Sequence, residues 1–241
     1  MKRLHSLPVG KRARATHNLL QKSFGMERDA VLRAIFKVGI IPVVRTHNAE
    51  SAFRCAGVLH RAGLCAVEIA TTNPEAAAAI RRIRETFGEE ILVGAGTVLD
   101  ADTARRCVSA GAQFLLSLAL KLPVIDVAKE LSIVVMPGAL TPTEIHSAWE
   151  AGADAVRIVP CDAMGGPRYV KSLRAPFPQI KFIASGGVTL DNIGEYLHAG
   201  ASAVGVTGAL VDAASVRDGH YEIFAERARR FRVAIARARG L

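Results

Sequence analysis

The sequence has no apolar stretch close to the roughly 18 residues that would span a bilayer, and no apolar core follows its N-terminal positive charges as a secretory leader would require. A cytoplasmic protein with no membrane contact is the expectation. Its four cysteines, Cys55, Cys65, Cys107 and Cys161, form no CxxC pair and sit near no cluster of histidines, which argues against both a disulfide framework and a structural zinc site. Reduced, mostly buried thiols are expected instead. Aromatic residues make up only 5% of the chain, too few for a base-stacking platform, and no RNA-binding motif accompanies them. No GxGxxG follows the first apolar run, so the signal of a dinucleotide-binding open sheet is missing. No HxxE-type or two-histidine spacing marks a metal site, and the expectation is no metal and no other cofactor.

What is present in quantity is positive charge, a formal +9 over 241 residues. It sits at the ends. Residues 1–28 carry seven Lys or Arg against Glu27 alone, residues 222–241 carry six arginines against Glu222 and Glu226, and the body between is close to neutral. Charge runs of this kind read as solvated segments, so nucleic acid is not expected as a partner; the alternative, a polyanion contact, predicts salt-sensitive binding through residues 1–28. The Arg-rich, acid-poor start also resembles an organellar transit peptide.

Half of the composition is apolar, enough for a large core in one domain. From Glu27 onward short apolar runs alternate with longer amphipathic ones. The strand-like runs are Ile40–Val44, Ala66–Ala70, Ile91–Ala95, Phe114–Ser117, Ile133–Met136, Ala155–Val159, Lys181–Ser185 and Ala203–Val206. Helical spacing marks Pro74–Phe87, Asp102–Ala110 and Thr143–Ala151, with start signals at Asn73-Pro74 and Thr141-Pro142. Four units repeat a turn, at Ala62-Gly63, Ala110-Gly111-Ala112, Ala151-Gly152-Ala153 and Ala199-Gly200-Ala201, where glycine can take the left-handed conformation that ends a helix. Eight strand and helix units predict a single-domain (β/α)8 TIM barrel over residues 28–241, opened by an N-terminal helix and preceded by a basic extension, residues 1–27. Barrel sites form at the C-terminal ends of the strands.

Those ends carry Val67-Glu68-Ile69, Gly94-Ala95-Gly96-Thr97-Val98-Leu99, Met136-Pro137-Gly138 with Leu140-Thr141-Pro142-Thr143-Glu144, Pro160, Gly165-Gly166-Pro167 and Ser185-Gly186-Gly187-Val188. In this order and spacing, over residues 28 to 235, the chain resembles the family of aldolases that cleave 2-keto-3-deoxy-6-phosphogluconate (KDPG) and 4-hydroxy-2-oxoglutarate. The resemblance implies a carbon-carbon lyase that yields pyruvate and a phosphorylated aldehyde, a small phosphorylated keto acid or pyruvate as ligand, and a homotrimer. It implies a proton-transfer role for Glu68 and substrate contacts for Arg45, Thr72, Thr97 and Pro137. Ser185, Gly186 and Gly187, with Thr207, Gly208 and Ala209, would hold the phosphate through backbone N–H groups, which glycine lets an anion approach closely.

The resemblance also exposes a gap. The family places an imine-forming lysine on the sixth strand, and Val156-Arg157-Ile158-Val159-Pro160 puts Arg157 there. A guanidinium stays protonated and is a very poor nucleophile. Thr72 stands where relatives carry a substrate-binding arginine, Leu118-Ala119 replaces Pro-Gly or Pro-His, and Ala209 stands where relatives often have serine. Lys181, four residues below Ser185, would belong to the barrel interior or its bottom rim, and Lys121 to a loop or helix start. The readings are therefore an aldolase-type lyase with altered chemistry, a non-catalytic phosphosugar or keto-acid binder, and a metal-assisted enolate lyase using carboxylates such as Glu68 and Asp162.

Overall fold

The computed structural model describes residues 26–241, so nearly all of the basic extension lies outside the described residues. The first element is helix α1 (Arg28–Val38). Strands and helices then alternate: β1 (Ile40–Val44), α2 (Ala49–Arg61), β2 (Ala66–Ala70), α3 (Ala76–Phe87), β3 (Leu92–Gly96), α4 (Ala101–Ser109), β4 (Phe114–Leu116) and α5 (Leu122–Glu130). They continue with β5 (Val134–Met136), β6 (Gly138–Ala139), α6 (Pro142–Glu150), β7 (Val156–Ile158), α7 (Pro167–Arg174), β8 (Phe182–Ser185), α8 (Ile193–His198), β9 (Ala203–Val206), α9 (Ala213–Arg217) and α10 (Glu222–Ala238).

All pairings are parallel, in the order β5-β4-β3-β2-β1-β9-β8-β7-β6. The nine segments make eight strands, because β5 and β6 are one strand interrupted at Pro137. Its lower half pairs with β4 and its upper half with β7. Proline has no N–H to donate, which breaks the ladder there, yet its carbonyl accepts from Arg157 N (2.8 Å) while that of Val135 accepts from Asp154 N (3.0 Å), and the barrel closes. The expected fifth run, Ile133–Met136, ends at this interruption, and the continuation at Gly138–Ala139 is an addition to it.

Local chemistry sets the helix starts. Thr141 and Glu144 form a reciprocal capping box on α6, and Asp100 caps α4 by accepting from Thr103 N at 2.7 Å. The expected start at Pro74 moves to Ala76, because the Asn73 side chain accepts from Glu75 N (2.8 Å) and holds the intervening residues in a turn.

Two tiers fill the barrel. The lower tier is apolar: Ile41, Ala66, Leu92, Phe114, Val134, Ala155, Ile183 and Ala203 pack on one another, and α1 plugs the bottom with Val31 and Ile35. The Phe114 ring occupies the space a side chain at Gly94 would need. One inward step higher, the alternation of strand side chains brings Glu68, Arg157 and Ser185 into the interior, all nearly inaccessible to solvent.

Candidate active site

Arg157 on β7 reaches across the barrel to Glu68 on β2. Its Nη1 donates to both carboxylate oxygens, at 3.1 and 3.0 Å, and its Nε donates to the Ser185 hydroxyl on β8 at 3.0 Å. The two ion-paired side chains are only 3% and 1% exposed. Removing two charges from water at this depth costs several kcal/mol per ion, which the mutual attraction and the added hydroxyl offset. Nη2 enters none of these bonds. Glycines supply the volume: a Cβ at Gly96 would overlap the Glu68 carboxylate, and one at Gly205 would overlap the Ser185 hydroxyl.

Around this triad the strand ends are open. Arg45, just past β1, is exposed and forms no ion pair among the described residues. Thr97 follows β3 at φ +59°, a conformation uncommon for a β-branched residue. Its hydroxyl is buried without a hydrogen-bond partner, and Asp100 rather than Thr97 caps the next helix. Thr97 and Thr72 share a groove of about 330 Å³ with Arg106, between the β2–α3 turn and the start of α4. Pro137 is buried at the break of the fifth strand, one residue below the glycine that pairs with Arg157.

The two glycine turns lie after β8 and β9. Gly186 and Gly187 take φ values of +105° and +66°, open only to glycine without strain. Their carbonyls are held by Tyr196 Oη (3.1 Å) and Asn192 Nδ2 (2.8 Å). Asp162 lies where side chains at either glycine would project. After β9, the Thr207 carbonyl accepts from Leu210 N and Val211 N, both at 2.9 Å. Among the described residues the N–H groups of Gly187, Gly208 and Ala209 make no backbone hydrogen bond, so they are open to an anion. The Ser185 hydroxyl points inward onto Arg157, as its strand parity suggests.

A model of the KDPG and KHG aldolases matches residues 31–226. The chain belongs to that family. It is 32% identical to the 2-dehydro-3-deoxy-phosphogluconate aldolase of Haemophilus influenzae, over 69% of this chain and 78% of that one. It is 34% identical to the 2-dehydro-3-deoxy-6-phosphogalactonate aldolase of Escherichia coli K12, over 70% and 83%. Among solved structures, a native KDPGal structure superposes with TM-score 0.79 at 33% identity, covering 85% of this chain and 98% of that one. The KDPG aldolase of Legionella pneumophila, described with pyruvate captured as a covalent carbinolamine, gives 0.76 at 27% identity, covering 81% and 95%.

Within this aldolase scaffold the structure brings Glu68, Arg157 and Ser185 into direct contact, while Arg45, Thr72 and the two glycine turns stand apart at the mouth. Lys121 is the residue before α5 and Lys181 is exposed below β8, at the bottom rim rather than inside the barrel. Cys161 is buried, and burial, with the nearby Asp162 charge, pushes its thiol up to about 12, so it carries no thiolate at neutral pH. Both oxygens of Glu68 are engaged by Arg157 and Asp162 packs on the Gly186-Gly187 turn, so these two carboxylates do not converge as a metal-assisted reading would ask. The Glu68 to Arg157 pair was missed in the sequence, although both side chains have inward strand parity; the roles of Gly96 and Gly205 as space for that pair leave no sequence signal.

Among the described residues no helix is long and apolar enough to cross a membrane. The arginines of α10 and of its C-terminal cap, Arg239, are only partly the solvated face expected of them. Arg239 donates to Phe36 O (2.8 Å) and Lys37 O (2.7 Å), Arg232 to Ala62 O (3.1 Å), and Arg227 to Asp212 (2.6 Å). Helix ends expose carbonyls without partners, and the Arg239 and Arg232 guanidinium groups satisfy them, while Arg227 pairs with a carboxylate.

Proposed function

We propose that the protein takes a phosphorylated 2-keto-3-deoxy sugar acid and cleaves it to pyruvate and a phosphorylated aldehyde without an imine, Arg157 acting as an electrostatic electrophile. The supporting observation is the buried Arg157 guanidinium, anchored through Nε and Nη1 with Nη2 left for a ligand oxygen. In the cleavage, Glu68 takes the proton of the C4 hydroxyl and the C3–C4 bond breaks. Its electron pair moves through C2 to the keto oxygen, which becomes an enolate facing the guanidinium. The same proton then returns to C3 and gives pyruvate. Stabilising charge that develops on an oxygen by a fixed donor in a water-poor site is a large catalytic term, though a guanidinium already paired to a carboxylate withdraws electrons less than a protonated imine. In this reading Thr97 and Arg45 would meet the carboxylate end, and the backbone N–H groups of Gly187, Gly208 and Ala209 the phosphate.

A second reading, a binder without turnover, is favoured by one feature: both oxygens of Glu68 are occupied by Arg157. Deuterium exchange into the methyl group of pyruvate, together with pyruvate release from phosphorylated keto acids, separates the two. Exchange and release support the lyase, binding alone supports the binder, and absence of binding overturns both. Arg157→Lys sharpens the test. It is expected to yield a borohydride-trapped adduct with labelled pyruvate that the wild type lacks, and cleavage faster by about tenfold or more, the equivalent of roughly 1.4 kcal/mol of barrier.

A designed cage built by fusing symmetric oligomeric domains is also similar, at 32% identity and TM-score 0.78 over 85% of this chain and 74% of that one. That likeness supports a symmetric oligomer, and with the homotrimer that the family resemblance implies we propose three copies, for which light scattering should return three times the chain mass.

A further inference from the structure

We propose that Ser185 is a positioning residue for the Arg157 guanidinium rather than a phosphate ligand; the inference deepens the reading given above and rests on it for its ligand. Glu68 alone cannot orient the group. Both of its oxygens meet the same nitrogen, Nη1, and a planar fork held at one nitrogen can still turn about that contact. A second anchor on a different nitrogen fixes the plane. Ser185 Oγ provides it by accepting from Nε at 3.0 Å. The remaining nitrogen, Nη2, lies beside β9, where Gly205 pairs with Ser185 and a Cβ would stand 3.4 Å from it.

Gly205 is the other half of the device. A side chain there would overlap the Ser185 hydroxyl, pushing it off Nε. The serine and the glycine thus act together on adjacent strands, and the planar ion beside them gives them a plane to fix. A lysine, with three rotatable donors on a point charge, has no plane to fix.

Ser185→Ala is the test, read with two probes and two backgrounds. Pyruvate carries no phosphate and inorganic phosphate carries nothing else. Calorimetry is expected to show pyruvate affinity reduced about tenfold, as for a lost hydrogen bond to a charged group, and phosphate affinity unchanged. In the Arg157→Lys background the same change should lose most of its effect, and Ser185→Thr should restore pyruvate binding by returning the hydroxyl. A fall in phosphate affinity alone overturns the proposal, as does equal loss in both backgrounds or no change at all. The Arg157 Nε–H resonance in nitrogen-15 NMR judges the role without any ligand: it should be protected from exchange in the wild type and lose that protection in Ser185→Ala. If the wild type fails to bind pyruvate, the proposed function falls, while this resonance still decides whether Ser185 holds the guanidinium.

Discussion

The two ends of the barrel use cations in opposite ways. At the bottom, the helix-ending glycine turns are overlaid by basic side chains from neighbouring helices: Arg239 on Gly39, Arg232 on Gly63, Arg84 on Gly111, Lys129 on Gly152 and Arg174 on Gly200. Most of them donate to helix-end or turn carbonyls nearby, such as Lys129 to Ala151 O (3.2 Å) and Arg174 to Ile180 O (3.0 Å). A positive charge at a helix C-terminus also meets the negative end of its dipole. At the top, Arg157 is buried against a carboxylate in the path of a ligand, Arg45 stands unpaired, and the Thr97 hydroxyl has no partner. The carbonyls at the bottom are satisfied by the chain itself, though the buried Gln113 Nε2 just before β4 has no hydrogen-bond partner. The top keeps donors in reserve, and that difference marks the functional end more plainly than any single motif.

The largest way to break the comparison is to remove Arg157. Arg157→Ala leaves the Glu68 carboxylate buried without a counter-ion, and stability in urea should fall by about 3–5 kcal/mol. Replacing both partners with apolar residues, Glu68→Leu with Arg157→Met, should bring stability back to within about 1 kcal/mol of the wild type while abolishing pyruvate binding. A loss below about 1 kcal/mol for the single change would mean that water reaches the pair, and the top tier would then be no different from the rim.

A smaller effect is expected at the bottom. Arg239→Ala strips the partners from Phe36 O and Lys37 O and should cost about 1–2 kcal/mol, with pyruvate affinity unchanged. Arg239→Lys should recover only part of it, because one ammonium cannot reproduce the fork. If ligand affinity fell with stability in this variant, the two ends would be coupled and the division drawn between them would fail.

The sequence carries the barrel well because its evidence is repeated: β1, β2 and β9 have the boundaries their apolar runs suggest, and the glycine turns recur at the helix ends. Contacts between distant strands are another matter. Glu68 and Arg157 are 89 positions apart, and only the closure of the barrel, with the strand parity it imposes, brings them together. Ser185 has an inward side chain by strand parity, legible in the sequence, yet the partner its hydroxyl meets on β7 comes into view only when the strands are paired. The arginines of α10 look like a solvated run because composition says nothing about which helix end lies beneath each one. The continuation of the fifth strand past Pro137 also escapes a reading by apolar runs, since Gly138-Ala139 is too short a run to mark a strand.

The last prediction concerns a cation at the top that behaves like those at the bottom. Arg227 on α10 pairs with Asp212 at 2.6 Å, and Asp212 ends the loop that follows β9, where Gly208 and Ala209 lie. The backbone N–H of Ser215, then the Arg227 guanidinium, hold the Asp212 carboxyl well below the usual carboxylate range. A carboxylate whose folded value is depressed contributes stability that is full above its unfolded value, about 3.9, and is lost as the pH falls through that value towards the folded one. Asp212→Asn keeps an oxygen to cap α9 but discards the charge. The wild type should therefore melt above the variant near pH 7, and the gap should begin to close below about pH 5 and go on narrowing as the pH falls towards the depressed folded value. A gap that stays constant over that range would show that Arg227 serves the loop by packing alone. A closing gap with unchanged phosphate affinity at neutral pH would place this pair with the bottom-rim cations, as a fastening of the fold beside the site and not a part of it.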